Sequence, residues 1–158
     1  MRVVLKAGKD KLLRRGYPWV FANQVHRIEG RPQTGDVVEI AAADGTVYGL
    51  GFYHEHSQIA VRFLTSDPAA TINADFFRQR LRQALSLRQA AFGDSRHYRL
   101  VFSESDGLPG TIVDRYDDVL TWTCLCYGME QHRELLLDLL EELLRPRAIV
   151  ERNDNVLR

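Results

Sequence analysis

The chain has 158 residues, 45% of them hydrophobic and 27% charged, which is an ordinary composition for a soluble globular protein that is long enough to bury a core. Lys plus Arg and Asp plus Glu number 21 each, so the total charge alone does not indicate a partner. Two cysteines exclude a disulfide framework, and no apolar run has the length of a signal-peptide core or a membrane span. We therefore expect a cytoplasmic protein with no membrane partner, built as one large domain or two small ones.

Charge is unevenly distributed along the chain. Residues 1–30 contain seven Lys or Arg against two acids, and residues 78–99 contain six Arg against one acid. Residues 130–142 reverse this balance, with five acids against one Arg. A neutral protein with separate basic and acidic segments can present a one-sided basic surface to a nucleic acid.

The first 68 residues show short strand patterns separated by turn residues. Gly8 to Arg15 predicts a turn and a single basic helical turn, and Asp44-Gly45 predicts a hairpin. Five or six short strands predict a small β-barrel-like module that ends at a linker near Asp67-Pro68. The strands are predicted over residues 2–5, 19–21 with a continuation over 25–28, 37–40, 47–53 and 58–64.

From residue 73 the apolar residues recur at helical spacing, with Phe77, Leu81 and Phe92 on one face and Gly93 as the end of the helix. This helix over 73–92 is the expected connector to a second α+β unit, which covers residues 73–158 and has its own core. A turn and the start of a further strand are expected at residues 153–158. We therefore expect the chain to be a fragment of a longer protein. The later elements are predicted as strands over 98–102, 111–116 and 119–126, a helix over 129–144 and a strand over 148–150.

Residues 9–21 form the strongest candidate for a nucleic-acid contact, because four cations run directly into Tyr17, Pro18, Trp19 and Phe21. Cations bind phosphates and aromatic faces stack on bases, so their combination suits RNA docking. The alternative is a solvated basic turn followed by a core strand, and the residues alone leave both open.

No catalytic, cofactor or metal site is predicted. His54 and His56 lack further ligands at metal spacing, so a loop is expected there. Cys124 and Cys126 have no cationic neighbour in sequence and are expected to be buried and inert. His132 is expected to be a partly buried structural residue.

Two further features are expected to be structural. The loop over 103–110 leads into a strand and not into a helix, so it does not predict a phosphate cradle. No nucleophile elbow supports a hydrolase site at its serines. The arginines of the first long helix and beyond, Arg78, Arg82, Arg88 and Arg96, are expected to form a solvated face.

Several strings in the chain resemble one family. Residues 6–21, from Lys-Ala-Gly-Lys-Asp-Lys to Tyr-Pro-Trp-Val-Phe, resemble the opening of an RNA-binding PUA-like domain, and residues 35–38 and 51–62 resemble its later strands. Glu-Ser-Asp-Gly-Leu-Pro-Gly-Thr-Ile-Val-Asp-Arg-Tyr at 104–116 and Glu-Arg-Asn-Asp at 151–154 resemble the middle domain that follows. Together they are similar to the N-terminal part of the bacterial S-adenosylmethionine-dependent large-subunit ribosomal RNA (cytosine-5) methyltransferases.

The resemblance implies a PUA-like β-barrel over 1–68 and a middle α+β domain of strand-strand-helix-strand type over 73–158. The Rossmann-like methyltransferase domain, with the cofactor loop and the catalytic cysteine, is absent. The parent protein is then an enzyme that uses S-adenosylmethionine, whereas this chain alone is predicted to be inactive and to position ribosomal RNA. Similar proteins imply a homodimer. The alternatives are a stand-alone RNA-binding module and a dimerisation or interaction unit whose contact is the Leu-rich helix.

The resemblance also implies roles for particular residues. Tyr17 and Trp19 are the candidates for stacking on an unpaired base; Trp19 and Phe21, at the start of a barrel strand, are expected in the core, which leaves the role of Tyr17 open. Asp114 and Arg115 are expected to pair or to cap within the middle domain, and the loop from Asp106 to Gly110 is expected to fix a turn. The candidate phosphate contacts are Lys9, Lys11, Arg14, Arg15 and, on a strand face, Arg62.

Overall fold

The computed structural model describes residues 1–152, and the turn and strand expected at residues 153–158 lie outside the described residues, as does part of the string at 151–154. The chain divides into two compact units, with the boundary between Ala70 and Thr71. None of the helices in residues 1–152 has the length and apolar character that a membrane crossing requires.

The first unit contains one six-stranded sheet with the strand order β2-β6-β5-β4-β1-β3. Neighbouring strands are antiparallel except for β1 and β4, which are parallel. A single helical turn, α1, covers Lys11–Arg14 between the first two strands. The strands are β1 (Arg2–Leu5), β2 (Trp19–Phe21), β3 (Val25–Glu29), β4 (Val37–Ala41), β5 (Val47–Tyr53) and β6 (Ile59–Thr65).

The six-stranded sheet is curled. Strands β2 and β3 lie at opposite edges of the sheet, yet only a 3₁₀ turn over Ala22–Gln24 connects them. A flat sheet would separate these edges by about 24 Å, whereas the link spans at most about 14 Å. The predicted β-barrel-like module is therefore a curled sheet with two edges. The prediction that residues 25–28 continue the strand at 19–21 is wrong, because β3 pairs with β1.

The core of the first unit lies inside this curl, since successive side chains of a strand point to opposite faces. Val20 is the only residue of β2 that is fully buried, and both neighbours in the strand are half-buried. The close approach of β5 and β6 requires glycine at position 49. The core cluster consists of Val3, Leu5, Val20, Val38, Ile40, Tyr53 and Val61, with Leu13, Val25 and Phe63 packed against it.

The second unit, as described up to residue 152, contains three helices and a four-stranded sheet of order β10-β9-β8-β7, in which only β9 and β10 are parallel. Helix α2 contacts both β7 and α4. The single helix predicted over 129–144 is two helices, α3 and α4. A tight turn separates them, in which the His132 N–H donates to the Met129 carbonyl. The elements are α2 (Ala74–Phe92), β7 (His97–Phe102), β8 (Thr111–Tyr116), β9 (Val119–Cys124), α3 (Tyr127–Glu130), α4 (Arg133–Leu144) and β10 (Ala148–Glu151).

Helix α2 begins and ends as its sequence predicts. The Asn73 side chain accepts a hydrogen bond from the Phe76 N–H at the N-terminus, and Gly93 has a positive φ at the C-terminus. Phe77 and Leu81 are buried, but Phe92 is 54% exposed and stacks on Tyr98. The remaining large core residues of this unit are Leu100, Leu108, Leu120, Trp122, Met129, Leu136, Leu139 and Leu140.

Of the four arginines expected on a solvated face, Arg82 and Arg96 are exposed, whereas Arg78 is half-buried and Arg88 is buried. Arg88 is buried and makes a two-bond ion pair with the Asp106 carboxylate, with 2.8 Å between Nη2 and Oδ2. Arg78 binds Glu142 of α4 at 3.1 Å. Arg78 and Arg88 form ion pairs with carboxylates because α2 packs against other elements along the face that carries both arginines.

The loop after β7 fixes a turn, as expected. The Asp106 carboxylate accepts from the Phe102 N–H as well as from Arg88, and Gly107 adopts the left-handed conformation that ends the 3₁₀ turn over Ser103–Asp106. A side chain at Gly110 would lie 2.6 Å from Cys126 Cβ. Asp106, Gly107 and Gly110 belong to the string at 104–116 that resembles the family, and within residues 1–152 their contacts shape this turn.

Asp114 and Arg115 make contacts within the second unit, as expected, but not with each other. Asp114 lies opposite Arg99 in the β7–β8 register, and the Arg99 Nε donates to it at 2.8 Å. Arg115 donates to the Tyr98 hydroxyl at 2.9 Å and to the Asp117 carbonyl. Consecutive residues of a strand point to opposite faces, so Asp114 and Arg115 cannot share a partner surface.

Candidate nucleic-acid interface

The basic turn over residues 9–15 is held on the sheet by a buried carboxylate. Asp10 is 6% exposed, and it accepts hydrogen bonds from the Tyr48 hydroxyl of β5 and from the Arg14 Nε, the latter at 2.6 Å. The hydrogen bond from Tyr48, together with the one from Arg14, holds the pKa of Asp10 below its usual value. The carboxylate therefore stays charged and fixes α1 through Arg14.

The four cations of the turn have different environments. Arg14 remains 61% exposed at its side chain, but its charge is matched by Asp10. Lys9, Lys11 and Arg15 are exposed, and none of their side chains forms an ion pair or hydrogen bond with the described part of the chain. The turn thus presents three cations that no neighbouring carboxylate neutralises.

Next to the basic turn lies an aromatic cluster, which we define as Tyr17, Trp19 and Phe21. The Tyr17 and Trp19 rings meet edge to face with centroids 5.8 Å apart, and the Trp19 and Phe21 centroids are 6.3 Å apart. Tyr17 is 38% exposed, and the other two rings are half-buried. The expectation that Trp19 and Phe21 belong to the core is wrong, because strand alternation directs Val20 inward and its neighbours to the other face.

Arg62 joins the aromatic cluster from the neighbouring strand. It lies opposite Trp19 in the β2–β6 register, and its guanidinium carbon is 5.4 Å from the centroid of the Trp19 ring. A cation over an indole face is attracted by the negative face of the ring. The fold therefore brings Arg62 onto the same surface as Tyr17 and Trp19.

A cleft of about 520 Å³ adjoins the cluster at Phe21. It is open to solvent and combines an aromatic ring, a lysine and amide side chains. Sequence reasoning missed the amides, because residues 23 and 58 are distant in the chain and only the strand β6 start and the 3₁₀ turn bring them together. The lining residues are Lys9, Phe21, Ala22, Asn23, Gln24 and Gln58.

Hydrogen bonds fix the walls of this cleft. The Gln24 Oε1 accepts from the Phe21 N–H at 2.8 Å, and its Nε2 donates to the Lys9 carbonyl at 3.4 Å. The Ala22 N–H donates to the Gln58 carbonyl at 2.9 Å. The 3₁₀ turn is thereby tied both to the basic turn and to the entry of β6, so the cleft is formed before any ligand binds.

The histidine and cysteine candidates have structural environments. The His54 Nδ1 accepts from the backbone N–H groups of His56 and Ser57, which closes a loop between β5 and β6. No group of three or more His, Cys, Asp or Glu within residues 1–152 has the arrangement of a metal site. His132 is half-buried with its ring 4.9 Å from that of Phe77, and burial lowers its pKa.

The two cysteines are buried, and we expect them to be unreactive in the folded protein. Burial raises the pKa of the Cys124 thiol to about 12, and this thiol donates to the Cys126 carbonyl. The thiolate is the reactive form, so alkylation at pH 8 should be slow. We expect iodoacetamide to label both cysteines only after denaturation, as measured by mass spectrometry, with the denatured chain as the control. Rapid labelling of Cys124 in the folded protein would contradict this burial.

Residues 3–66 match the family described as PUA-like domain. The match covers nearly all of the first unit and agrees with the PUA-like domain that residues 6–21, 35–38 and 51–62 resemble.

Over nearly all of its length the chain is also similar to particular methyltransferases. It is 42% identical over 156 residues to the ribosomal RNA large subunit methyltransferase I of Shewanella amazonensis, covering 98% of this chain and 39% of that protein. It is 40% identical over 154 residues to the protein of the same name from Aliivibrio fischeri, covering 96% of this chain and 39% of that protein. The resemblance to the bacterial large-subunit ribosomal RNA methyltransferases is confirmed. The chain spans about 40% of the length of the curated relatives that it matches.

Solved structures with the same fold carry little sequence identity. A candidate SAM-dependent methyltransferase from Streptococcus mutans matches with a TM-score of 0.79 at 14% identity, over 96% of this chain and 41% of that one. A candidate methyltransferase solved in complex with SAH matches with a TM-score of 0.80 at 14% identity, over 96% of this chain and 40% of that one. At this identity the likeness establishes the fold.

Proposed function

We propose that this chain is the RNA-binding and substrate-positioning N-terminal part of a ribosomal RNA (cytosine-5) methyltransferase. The observation that carries the proposal is the basic turn, whose three unneutralised cations adjoin the aromatic cluster within a PUA-like domain. The names of the curated relatives support ribosomal RNA as the partner.

The proposed division of labour follows from the environments of the residues. Lys9, Lys11 and Arg15 neutralise phosphates, while Arg14 contacts RNA only with the part of its guanidinium that Asp10 leaves exposed. Tyr17 offers a ring on which an unpaired base can stack, a contact worth about 1–3 kcal/mol per base. Arg62 adds positive charge beside the aromatic cluster.

We propose that catalysis belongs to the part of the relatives that this chain does not cover. S-adenosylmethionine supplies the methyl group in such enzymes, but residues 1–152 contain no glycine-rich strand-to-helix turn that would cradle it. Cys124 is buried and bonded, so it does not serve as a nucleophile. The chain alone, with its PUA-like domain over 1–68 and its middle domain from residue 73, is then inactive. A cytoplasmic homodimer remains our expectation for the whole protein.

The proposal predicts salt-dependent RNA binding through the basic turn. Replacing Lys9, Lys11 and Arg15 together with Ala should weaken binding of a single-stranded ribosomal RNA fragment about tenfold or more at low salt. The slope of log affinity against log salt should fall by about 2, because each lost phosphate contact on a single strand contributes about 0.7. Fluorescence anisotropy at several salt concentrations measures both quantities.

A matched variant controls for total charge. Replacing Arg27, Arg31 and Arg147 with Ala removes the same number of positive charges from exposed positions outside the basic turn. Its affinity should stay close to that of the wild type. Equal losses in both variants would move the RNA surface away from the basic turn. Absence of any binding at low salt would overturn the proposed function and leave the interaction-unit hypothesis.

A further inference from the structure

We propose that the cleft beside Phe21 binds a single unpaired RNA base, whose edge is hydrogen-bonded by the side-chain amides of Asn23 and Gln58. This inference rests on the proposed function and assigns a specific pocket to it. The pocket is distinct from the basic turn in its chemistry, because it offers neutral donors and acceptors next to an aromatic ring.

The two amides are available for a ligand. Asn23 and Gln58 are exposed, and neither side chain forms a hydrogen bond with the described residues. The third amide of the cleft differs, because Gln24 uses both ends of its side chain to hold the walls. Each available amide carries a donor and an acceptor, which is the pattern that base edges complement.

The size of the cleft and its hydrogen-bonded walls suit an aromatic ligand. Its volume of about 520 Å³ lies within the range of small-molecule pockets. Phe21 supplies the aromatic wall and is supported at its edge by Trp19, with an interplanar angle of 88°. Since hydrogen bonds already fix the 3₁₀ turn, binding requires little further ordering of the chain.

Lys9 gives the cleft a positive charge, which suits a nucleic acid. It lines the cleft and also belongs to the basic turn, so one nucleotide can place its base in the cleft and its phosphate against Lys9. Bases within a duplex are stacked and paired, whereas those of loops and bulges can be splayed out onto aromatic side chains. The cleft therefore selects single-stranded RNA.

The inference is tested with strands that carry a single base. The probe is a fluorescein-labelled RNA backbone of about twelve nucleotides that is abasic at every position except one central base, made in four versions, and compared with the fully abasic strand. The wild type should bind at least one single-base version about tenfold tighter than the others, as expected when amides read the edge of one base. The Asn23→Ala/Gln58→Ala variant should bind the four single-base versions equally well and retain its affinity for the abasic strand.

Controls separate this inference from the proposed function. Gln33→Ala removes an exposed amide of the same unit outside the cleft and should keep the preference for a base. A wild type that binds all strands equally well would overturn the cleft assignment and leave phosphate-driven binding intact. A difference among the four bases that persists in the Asn23→Ala/Gln58→Ala variant would also overturn it. Failure to bind natural single-stranded RNA at low salt would overturn the proposed function as well.

Discussion

Replacing Asp106 with Ala is expected to lower the free energy of unfolding of the second unit by about 3–5 kcal/mol, the usual cost of breaking a buried ion pair. The partner guanidinium of Arg88 is 10% exposed at its side chain and would be left buried without a counter-charge. The Phe102 N–H would also lose its acceptor. Urea unfolding followed by tryptophan fluorescence measures the change.

The two tryptophans allow the second unit to be followed by itself. Trp122 is fully buried in β9, whereas Trp19 lies in the first unit, so a Trp19→Phe background reports on the second unit alone. Asp118→Ala is the matched control, because Asp118 forms an ion pair with Arg147 at the surface. The side chain of Arg147 is 74% exposed and that of Asp118 is 47% exposed. Breaking this pair should therefore lower the free energy of unfolding much less. Equal losses for Asp106→Ala and Asp118→Ala would contradict the structural role of the Arg88–Asp106 pair.

Replacing Gly49 with Ala is expected to prevent the PUA-like domain from folding, or to destabilise it by more than about 4 kcal/mol. A Cβ at this position would lie 2.0 Å from the Thr65 carbonyl oxygen, and the φ of +142° disfavours any side chain. Backbone of β6 cannot move away without breaking its pairing with β5. Loss of RNA binding should accompany unfolding, because β6 carries Arg62.

Gly45→Ala provides the matched control in the same hairpin. This glycine also has a positive φ, of +90°, but no atom lies within 4 Å of the position of its Cβ. The substitution should therefore cost only the backbone strain of about 1–2 kcal/mol. Circular dichroism and thermal melting of both variants measure the difference. Similar melting temperatures for the two variants would show that β5 and β6 do not approach each other as closely as described.

Much of the local structure could be predicted from particular residues. The alternation of Ile59, Val61 and Phe63 predicted β6, and Asp44-Gly45 predicted the turn between β4 and β5. Asn73 and Gly93 marked both ends of α2 within one residue. These features depend on neighbours in sequence, so a local pattern contains the information that decides them.

The candidate interface could be predicted only in part. The basic residues stood out by composition, and Asp10 lies four residues before Arg14, but the hydrogen bond that Tyr48 adds to Asp10 comes from a distant strand. The placement of Trp19 depended on which face of β2 turns inward, and an isolated three-residue strand does not contain that information. The burial of Arg88 was missed because its partner lies eighteen residues further along the chain.

The sequence by itself determined the positions of most strands and helices and the family that the chain resembles, since periodicity, capping residues and short strings are local properties. Only the tertiary structure decided which surface residues 9–21 present. The curl of the sheet placed the 3₁₀ turn beside the entry of β6 and so made a cleft from Lys9, Phe21, Asn23 and Gln58. Pairing across β2 and β6 placed Arg62 over Trp19. Strand order and register bring together residues that are far apart in the chain, and no local pattern specifies those contacts.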